Sequence, residues 1–400
     1  MRIALIADSF APQKNSAAVQ LQDLVAEMLR HGMQPTVFLP ASGLSEPWRA
    51  EALNGVEVVR LKAFRTKDIG YLRRTVAEFL LPYVMWFRLR KTPYAALRWD
   101  GIVWYSPSIF FGPLSRKLKS LSGCKSYLIL RDIFPEWAVD MGLMGRGLPY
   151  RCFKAVEHYQ YRVADVIGVQ TKANLPYFQF WSRQFPERRV EVLQNWLAPA
   201  VNCGCSINLS TGPLAGRKVF VYAGNMGVAQ GMDILLGLAE QLRTRDDVGF
   251  LFVGRGRDAN TLRQKAFERK LDNVLFHDEI EPSEIPGLYA QCAVGLVALD
   301  PRHKTHNIPG KFLSYMQCGL PVLAVVNPGN DLEQLINTEQ VGQACSSAAV
   351  DVLLERATAL LADIADGKDM GSRCRQLGEK LFSPEAAVKQ IISGLGLAGK

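Results

Sequence analysis

The sequence predicts an α/β protein built from two doubly wound parallel-sheet domains. Three observations carry that reading. Four hundred residues exceed what a single hydrophobic core holds and suit two domains of ordinary size. Short apolar runs alternate with stretches of helical period from end to end, as a parallel sheet with helices on its faces requires. A polar stretch without period, residues 197–216, interrupts this alternation, which then restarts.

In the first half, residues 3–7 read as a buried strand. Val19, Leu21, Leu24, Val25, Met28 and Leu29 then recur at helical spacing, and Gly32 stops the helix. Further strands are expected at 36–39, 56–61, 102–105, 127–130, 166–169 and 190–193. After the polar stretch, strands are expected at 219–222, 249–253, 274–276, 293–298 and 321–325. Helices are expected at 231–242, 262–270, 284–291 and 310–317, with a last one at 384–394. The organisation is therefore a first domain over 1–196, a linker over 197–216, a second domain over 217–382 and a C-terminal helix in 383–400. Doubly wound domains bind ligands where strand C-termini meet, so the loops after strands are the ones to search.

Composition narrows the partners. The chain is 48% hydrophobic and 21% charged, which is globular rather than disordered. Its formal net charge of +9 favours anionic partners such as nucleotides, phosphates or lipid headgroups. The basic residues are not interleaved with aromatics along a strand pattern and no recognition motif is present, so no nucleic acid is expected. Met-Arg-Ile-Ala-Leu-Ile-Ala-Asp at the start reads as a strand and not as a secretory leader. The run Phe79-Leu-Leu-Pro-Tyr-Val-Met-Trp-Phe87 is about half of what a membrane span needs. The eight cysteines lack zinc-site spacing and read as reduced thiols, so a cytoplasmic protein without a metal is expected. Arg60, Lys62, Arg65, Lys67, Arg73, Arg74, Arg88, Arg90, Lys91 and Arg98 surround the 79–87 run. That suits an interfacial segment on anionic lipid, and it also suits a core helix with solvated ends.

Four loops bear on a phosphate-rich ligand. Asp8-Ser-Phe-Ala-Pro-Gln-Lys-Asn-Ser-Ala-Ala18 offers Asn15 and Ser16 at a helix start, suited either to phosphate or to an ordinary cap. Tyr222-Ala-Gly-Asn-Met-Gly-Val-Ala-Gln-Gly231 carries Gly224, Gly227 and Gly231, which let backbone approach a ligand. Val253-Gly-Arg-Gly256 places Arg255 between two glycines at the next strand end. The longest is Arg302-His-Lys-Thr-His-Asn-Ile-Pro-Gly-Lys-Phe-Leu-Ser-Tyr-Met-Gln-Cys-Gly-Leu-Pro-Val322. There Pro309 opens a helix and Gly319 ends it, and Lys311 and Ser314 share a face near its positive end.

With these residues the chain resembles a family 4 glycosyltransferase of the GT-B fold: two facing Rossmann-like domains and a C-terminal helix returning to the first. The 309–322 segment is similar to the family's donor-site helix and strand entry. The 222–231 and 253–256 loops resemble its two Gly loops. Arg131-Asp132-Ile-Phe-Pro-Glu136 resembles a motif of bacterial surface-polysaccharide members. The resemblance implies Arg255 near the nucleotide base, with the Glu279–Glu281 turn, including Ile280 and Glu281, contacting it through backbone. It implies Ser314 near the ribose, and Lys311 with Gly224, Asn225, Gly227 and Gln230 near the diphosphate. His306, Asn307, Pro309, Gly310, Tyr315, Asn15 and Ser16 complete the implied donor set.

Departures from the pattern refine this. Many members carry two glutamates eight residues apart, where this chain has His306 and Ser314, and an Arg and a Lys where it has Asn225 and Gln230. These changes resemble members that handle amino-deoxy sugars such as N-acetyl-L-fucosamine in O-antigen assembly. The implied activity is a retaining, metal-independent transfer from a UDP-sugar, with no cofactor, to a polyprenyl-diphosphate-linked glycan at the inner membrane surface. Lys311 and Gln230 would stabilise the departing diphosphate, and Asp132 would orient sugar or acceptor. Two rivals share the fold: a non-catalytic UDP-sugar-binding relative, and a UDP-sugar 2-epimerase, which needs carboxylates and a histidine in its cleft.

Overall fold

The computed structural model describes residues 1–13, 15–66, 69–140, 142–199, 201–227, 230–300 and 308–398. They form two compact units: Met1–Trp196 with Pro384–Lys400, and Leu197–Ser383. The expected α/β class, two units each built on a largely parallel sheet, is what forms.

In the first unit the strands are β1 (Arg2–Ile6), β2 (Gln34–Ala41), β3 (Trp48–Leu53), β4 (Val56–Lys62), β5 (Gly101–Ser106), β6 (Lys125–Leu130), β7 (Val166–Val169) and β8 (Arg189–Val192). Its helices are α1 (Ser16–Arg30), α2 (Tyr71–Leu89), α3 (Gly112–Ser122), α4 (Glu136–Asp140), α5 (Leu148–Val163) and α6 (Gln179–Gln184). Among the described residues the sheet runs β3-β4-β2-β1-β5-β6-β7-β8, parallel except for β3, which is antiparallel to β4. Alternation along β1 feeds two cores. Ile3 and Leu5 join Leu21, Leu24 and Val25 of α1 on one face. Ala4 and Ile6 share the other face with Leu81 and Met85 of α2 and Leu114 of α3. Parallel strands buried on both faces read as continuous apolar runs, so they were visible in the sequence.

The second unit has β9 (Lys218–Ala223), β10 (Val248–Val253), β11 (Val274–His277), β12 (Val294–Ala298), β13 (Val322–Val325) and β14 (Gly342–Cys345). Its helices are α7 (Asp233–Gln241), α8 (Ala259–Glu268), α9 (Ile285–Tyr289), α10 (Gly310–Cys318), α11 (Asp331–Glu339), α12 (Val350–Ala365) and α13 (Met370–Phe382). The sheet order is β11-β10-β9-β12-β13-β14, with every pairing parallel among the described residues. Residues 197–216 contain no helix or strand among those described. Yet Ile207, Leu209 and Leu214 are buried in this unit's core.

The last helix, α14 (Pro384–Leu395), returns to the first unit as expected. Val388 and Ile391 sit in the core beside α1. Gly394 lies where a Cβ would stand 2.8 Å from the Tyr127 ring, so a side chain there would wedge the helix off β6. The Gln390 amide donates to the Val192 carbonyl (2.8 Å) and to Glu191 (3.0 Å).

Candidate active site

Strand order reverses between β9 and β12, where chain leaving β9 turns one way across the sheet and chain leaving β12 turns the other. Such a switch point opens a crevice at the strand C-termini. The loop beginning at Gly224 leaves β9, the Gly254–Gly256 turn leaves adjacent β10, and α10 follows β12. The sequence therefore brings its three best phosphate-binding candidates to one edge.

The two glycine turns interlock. Gly224 N–H donates to the Val253 carbonyl (2.9 Å), Met226 N–H to Arg255 (2.8 Å), and Asp258 N–H to Met226 (3.0 Å). A Cβ at Gly254 would lie 2.1 Å from the Gly224 oxygen, and one at Gly256 2.2 Å from the Met226 oxygen. Both glycines also have positive φ, +138° and +154°. Backbone packs on backbone here, which only glycine allows. The Tyr222 hydroxyl donates to the Asn225 carbonyl (2.7 Å), and Gly227 N–H donates to Gln230 Oε1 (3.0 Å). Gln230 thus braces the loop, while Asn225 is exposed at its tip.

Lys311 stands in the first turn of α10, whose N-cap is Pro309 and whose exposed first residue is Gly310. Its Nζ lies 4.6 Å from the Tyr222 ring centroid. Its Cε is 3.7 Å from where a Gly224 Cβ would stand. Burial pushes the ammonium down to about 8. Among the described residues it has no carboxylate partner. A desolvated cation held, among the described residues, against an aromatic face, beside exposed backbone and a helix N-terminus, is arranged to receive an anion.

The other donor-side residues divide. Arg255 Nε pairs with the Glu279 carboxylate at 2.9 Å, both largely exposed. Ile280 packs against the core. Exposed Glu281 donates its N–H to Glu284 (3.2 Å), within a reciprocal cap that occupies the very backbone group expected to meet a base. Ser314 is half-buried, one turn along α10 from Gly310, with its hydroxyl 3.5 Å from the Gly310 carbonyl. Tyr315 requires a correction. It is fully buried, and its hydroxyl lies 3.1 Å from both the Val221 and Leu296 carbonyls, so it ties α10 to β9 and β12 and presents no surface to a donor. His306 and Asn307 lie outside the described residues.

In the first unit the loop after β1 forms a cap. Asn15 Oδ1 accepts from Ala18 N–H (2.9 Å) and its Nδ2 donates to Ser9 Oγ (2.8 Å), while Ser16 opens α1 exposed. Of the two readings of this loop, the capped turn accounts for the Asn15 side chain. At the end of β6, Asp132 is half-buried, and desolvation raises its carboxyl above the usual range while Arg131 opposes that at a distance. The Arg131 guanidinium is buried over the Trp196 ring (4.7 Å) and the Tyr105 ring (5.9 Å), and its Nη1 donates to the Leu193 carbonyl (3.0 Å). Among the described residues the neighbours Arg131 and Asp132 form no ion pair. Sequence reasoning missed Tyr222 and Trp196 as partners of these cations. The members of each pair, Lys311 with Tyr222 and Arg131 with Trp196, are far apart in the sequence.

This geometry has known counterparts. Residues 217–363 match the family described as Glycosyl transferases group 1. The chain is 24% identical over 355 residues to WbjE of Pseudomonas aeruginosa, named a probable glycosyltransferase, covering 86% of this chain and 85% of that protein. The chain is a glycosyltransferase. The enzyme's fold is shared with Anabaena HepE in complex with UDP and glucose, at TM-score 0.66 and 17% identity over 98% of this chain and 99% of that one. It is shared equally with WaaG, a glycosyltransferase involved in lipopolysaccharide biosynthesis, at TM-score 0.64 and 13% identity over the full length of both. No helix among the enzyme's described residues is long and apolar enough to cross a membrane.

Proposed function

We propose that the enzyme transfers a sugar, an N-acetylated amino-deoxy hexose such as N-acetyl-L-fucosamine, from its UDP donor to a polyprenyl-diphosphate-linked glycan. The transfer retains anomeric configuration, uses no metal or cofactor, and takes place at the inner membrane surface during surface polysaccharide synthesis. The observation that carries the donor assignment is Lys311, a desolvated ammonium against Tyr222 and the Gly224 turn. HepE, of the same fold, holds UDP and glucose. The role of WaaG in lipopolysaccharide biosynthesis supports the polysaccharide assignment.

In this reading the diphosphate lies across the Gly224–Gly227 backbone and the amino end of α10. Negative charge grows on it as the sugar leaves, and donors fixed in place stabilise that charge without reorganising. Lys311 supplies the cation, and Asn225 and the Gln230 amide supply neutral donors. Asp132, whose carboxyl burial raises above the usual range, orients the acceptor or the sugar. Arg255 exchanges Glu279 for the base, and Ser314 faces the ribose.

Thermal denaturation with UDP, GDP, dTDP and ADP sugars tests the donor. Stabilisation by UDP compounds alone is expected, and an unchanged melting temperature with all four removes the assignment. Product NMR with a polyprenyl-diphosphate-linked acceptor then reads the anomeric configuration, and inversion refutes the retaining step. Donor incubated alone should remain unepimerised.

A further inference from the structure

The first unit carries an apolar and cationic surface that includes none of the residues assigned above to sugar transfer. Leu72, Val76, Leu80, Tyr83 and Phe87 of α2 are between 45% and 81% exposed. Their spacing of four, four, three and four residues puts them on one helical face. The opposite face, with Ala77, Leu81, Met85 and Leu89, fills the core. Monomeric proteins rarely expose a contiguous apolar stripe of this kind without a partner.

Two concavities lie in the layer formed by α2, α3 and α5, and the first shares Tyr83 with the stripe. One, of about 370 Å³, is walled by Phe79, Pro82, Tyr83, Phe110, Val156 and Tyr159 and is mainly apolar. The other, of about 450 Å³, is bordered by Arg116, Lys119, Arg162 and Arg188. Tyr159 borders both, so hydrocarbon-like and cationic surfaces meet at one side chain. Lys119 and Arg188 grip Asp165 at 2.6 and 2.5 Å. Arg116 has only the Tyr159 hydroxyl at 3.4 Å, and exposed Arg162 has no ion-pair partner among the described residues. Around the stripe, Lys91 lies over the Phe87 ring (4.8 Å) and Lys117 over the Trp86 ring (5.5 Å). α3 contributes Arg116, Lys117 and Lys119 and has no acidic residue.

We propose that this layer is the face on which the enzyme docks to an anionic phospholipid bilayer. The α2 stripe enters the headgroup and acyl boundary, the apolar groove takes acyl chain, and Arg116 and Arg162 take lipid phosphate. Charge selects the occupant: an apolar stripe rimmed by cations matches an anionic amphiphile surface, and Arg116 and Arg162, without a carboxylate partner among the described residues, border the same Tyr159 as the apolar groove. The proposal rests on the membrane location suggested above and adds which surface makes the contact.

Co-sedimentation of the full chain with phosphatidylcholine vesicles, with and without phosphatidylglycerol, tests it. Wild type should bind the phosphatidylglycerol vesicles and release from them in high salt. Each surface arginine contributes about fivefold to such binding, so R116Q/R162Q should bind about thirtyfold more weakly. L80S/Y83S/F87S, which alters only exposed side chains, should lose binding to both vesicle types with an unchanged melting temperature. Wild type that binds no vesicle overturns the membrane location and this proposal together. Wild-type binding that both variants retain leaves the membrane location standing and overturns this face. A wild-type dimer that the triple variant splits, with vesicle binding unchanged, assigns the stripe to a second copy and overturns it as well.

Discussion

Replacing Lys311 with methionine should stabilise the empty protein and weaken its grip on the donor. Burial lowers this ammonium from 10.5 to about 8. At about 1.4 kcal/mol per unit, a charged Lys311 costs the fold about 3 kcal/mol at neutral pH. The Tyr222 ring at 4.6 Å returns about 1 kcal/mol of that. Methionine keeps the apolar stem and removes the charge, so a net gain of about 2 kcal/mol is expected, or about 4–8 °C in the second unit's melting temperature. Donor binding moves the other way, because a charge-assisted contact to diphosphate contributes about 1.5–3 kcal/mol, and its loss weakens UDP by about 10- to 150-fold. The pH dependence follows with a definite sign. Between about pH 8 and 10.5 the unfolded chain holds a proton that the folded chain has released, so wild-type stability rises with pH across that window. UDP affinity of the wild type falls over the same range, because only the protonated amine attracts phosphate. Scanning calorimetry and titration calorimetry from pH 6 to 10 measure both slopes. A Lys311→Met protein with unchanged melting temperature and unchanged UDP affinity would place the amine in bulk water and refute the reasoning.

Other perturbations separate the parts of the site. Gly254→Ala drives a Cβ to 2.1 Å from the Gly224 oxygen at φ +138°; its melting temperature should drop and UDP stabilisation vanish, whereas the same change at Gly43, which has open space, should alter neither. Asp132→Asn should lower turnover by about tenfold or more while UDP affinity stays at the wild-type value, since the donor is held by the other unit; a parallel loss of UDP binding would contradict the assignment. Glu157 is buried, touches Lys154 at 2.7 Å, and is raised by burial from 4.5 to about 7. The folded state therefore binds the extra proton between those values, so first-unit stability should fall as pH rises from 4.5 to 7, and Glu157→Gln should flatten that slope in urea melts.

Much of the site was readable because its parts are local. Pro309, Lys311 and Gly319 announce α10 by helix-end chemistry, and glycines 224, 227, 254 and 256 announce turns after strands. The residues that give those parts their meaning are distant in sequence. Nothing near Gly254 says that it presses on Gly224, and nothing near Lys311 says that Tyr222 lies beneath it. Tyr315 was misplaced for the same reason: its position on α10 suggests the donor face, but β9 and β12 cover it. The antiparallel edge strand β3, Trp-Arg-Ala-Glu-Ala-Leu, escaped notice because it is half-exposed and lacks β-branched residues. The short β14, Gly-Gln-Ala-Cys, pairs with β13 through its backbone without any apolar run to mark it.

Sequence alone determined the α/β alternation, because strands buried on both faces must be apolar throughout and helices covering them must repeat every three to four residues. It also determined where the chain turns, because glycine and proline act on the backbone within a residue or two. Tertiary packing decided which turns face one another, which charges are stripped of water, and that the 79–87 run both fills a core and leaves Leu80, Tyr83 and Phe87 exposed. Those properties depend on neighbours brought from far along the chain, and desolvation is set by everything within several ångströms of an atom whatever its place in the sequence.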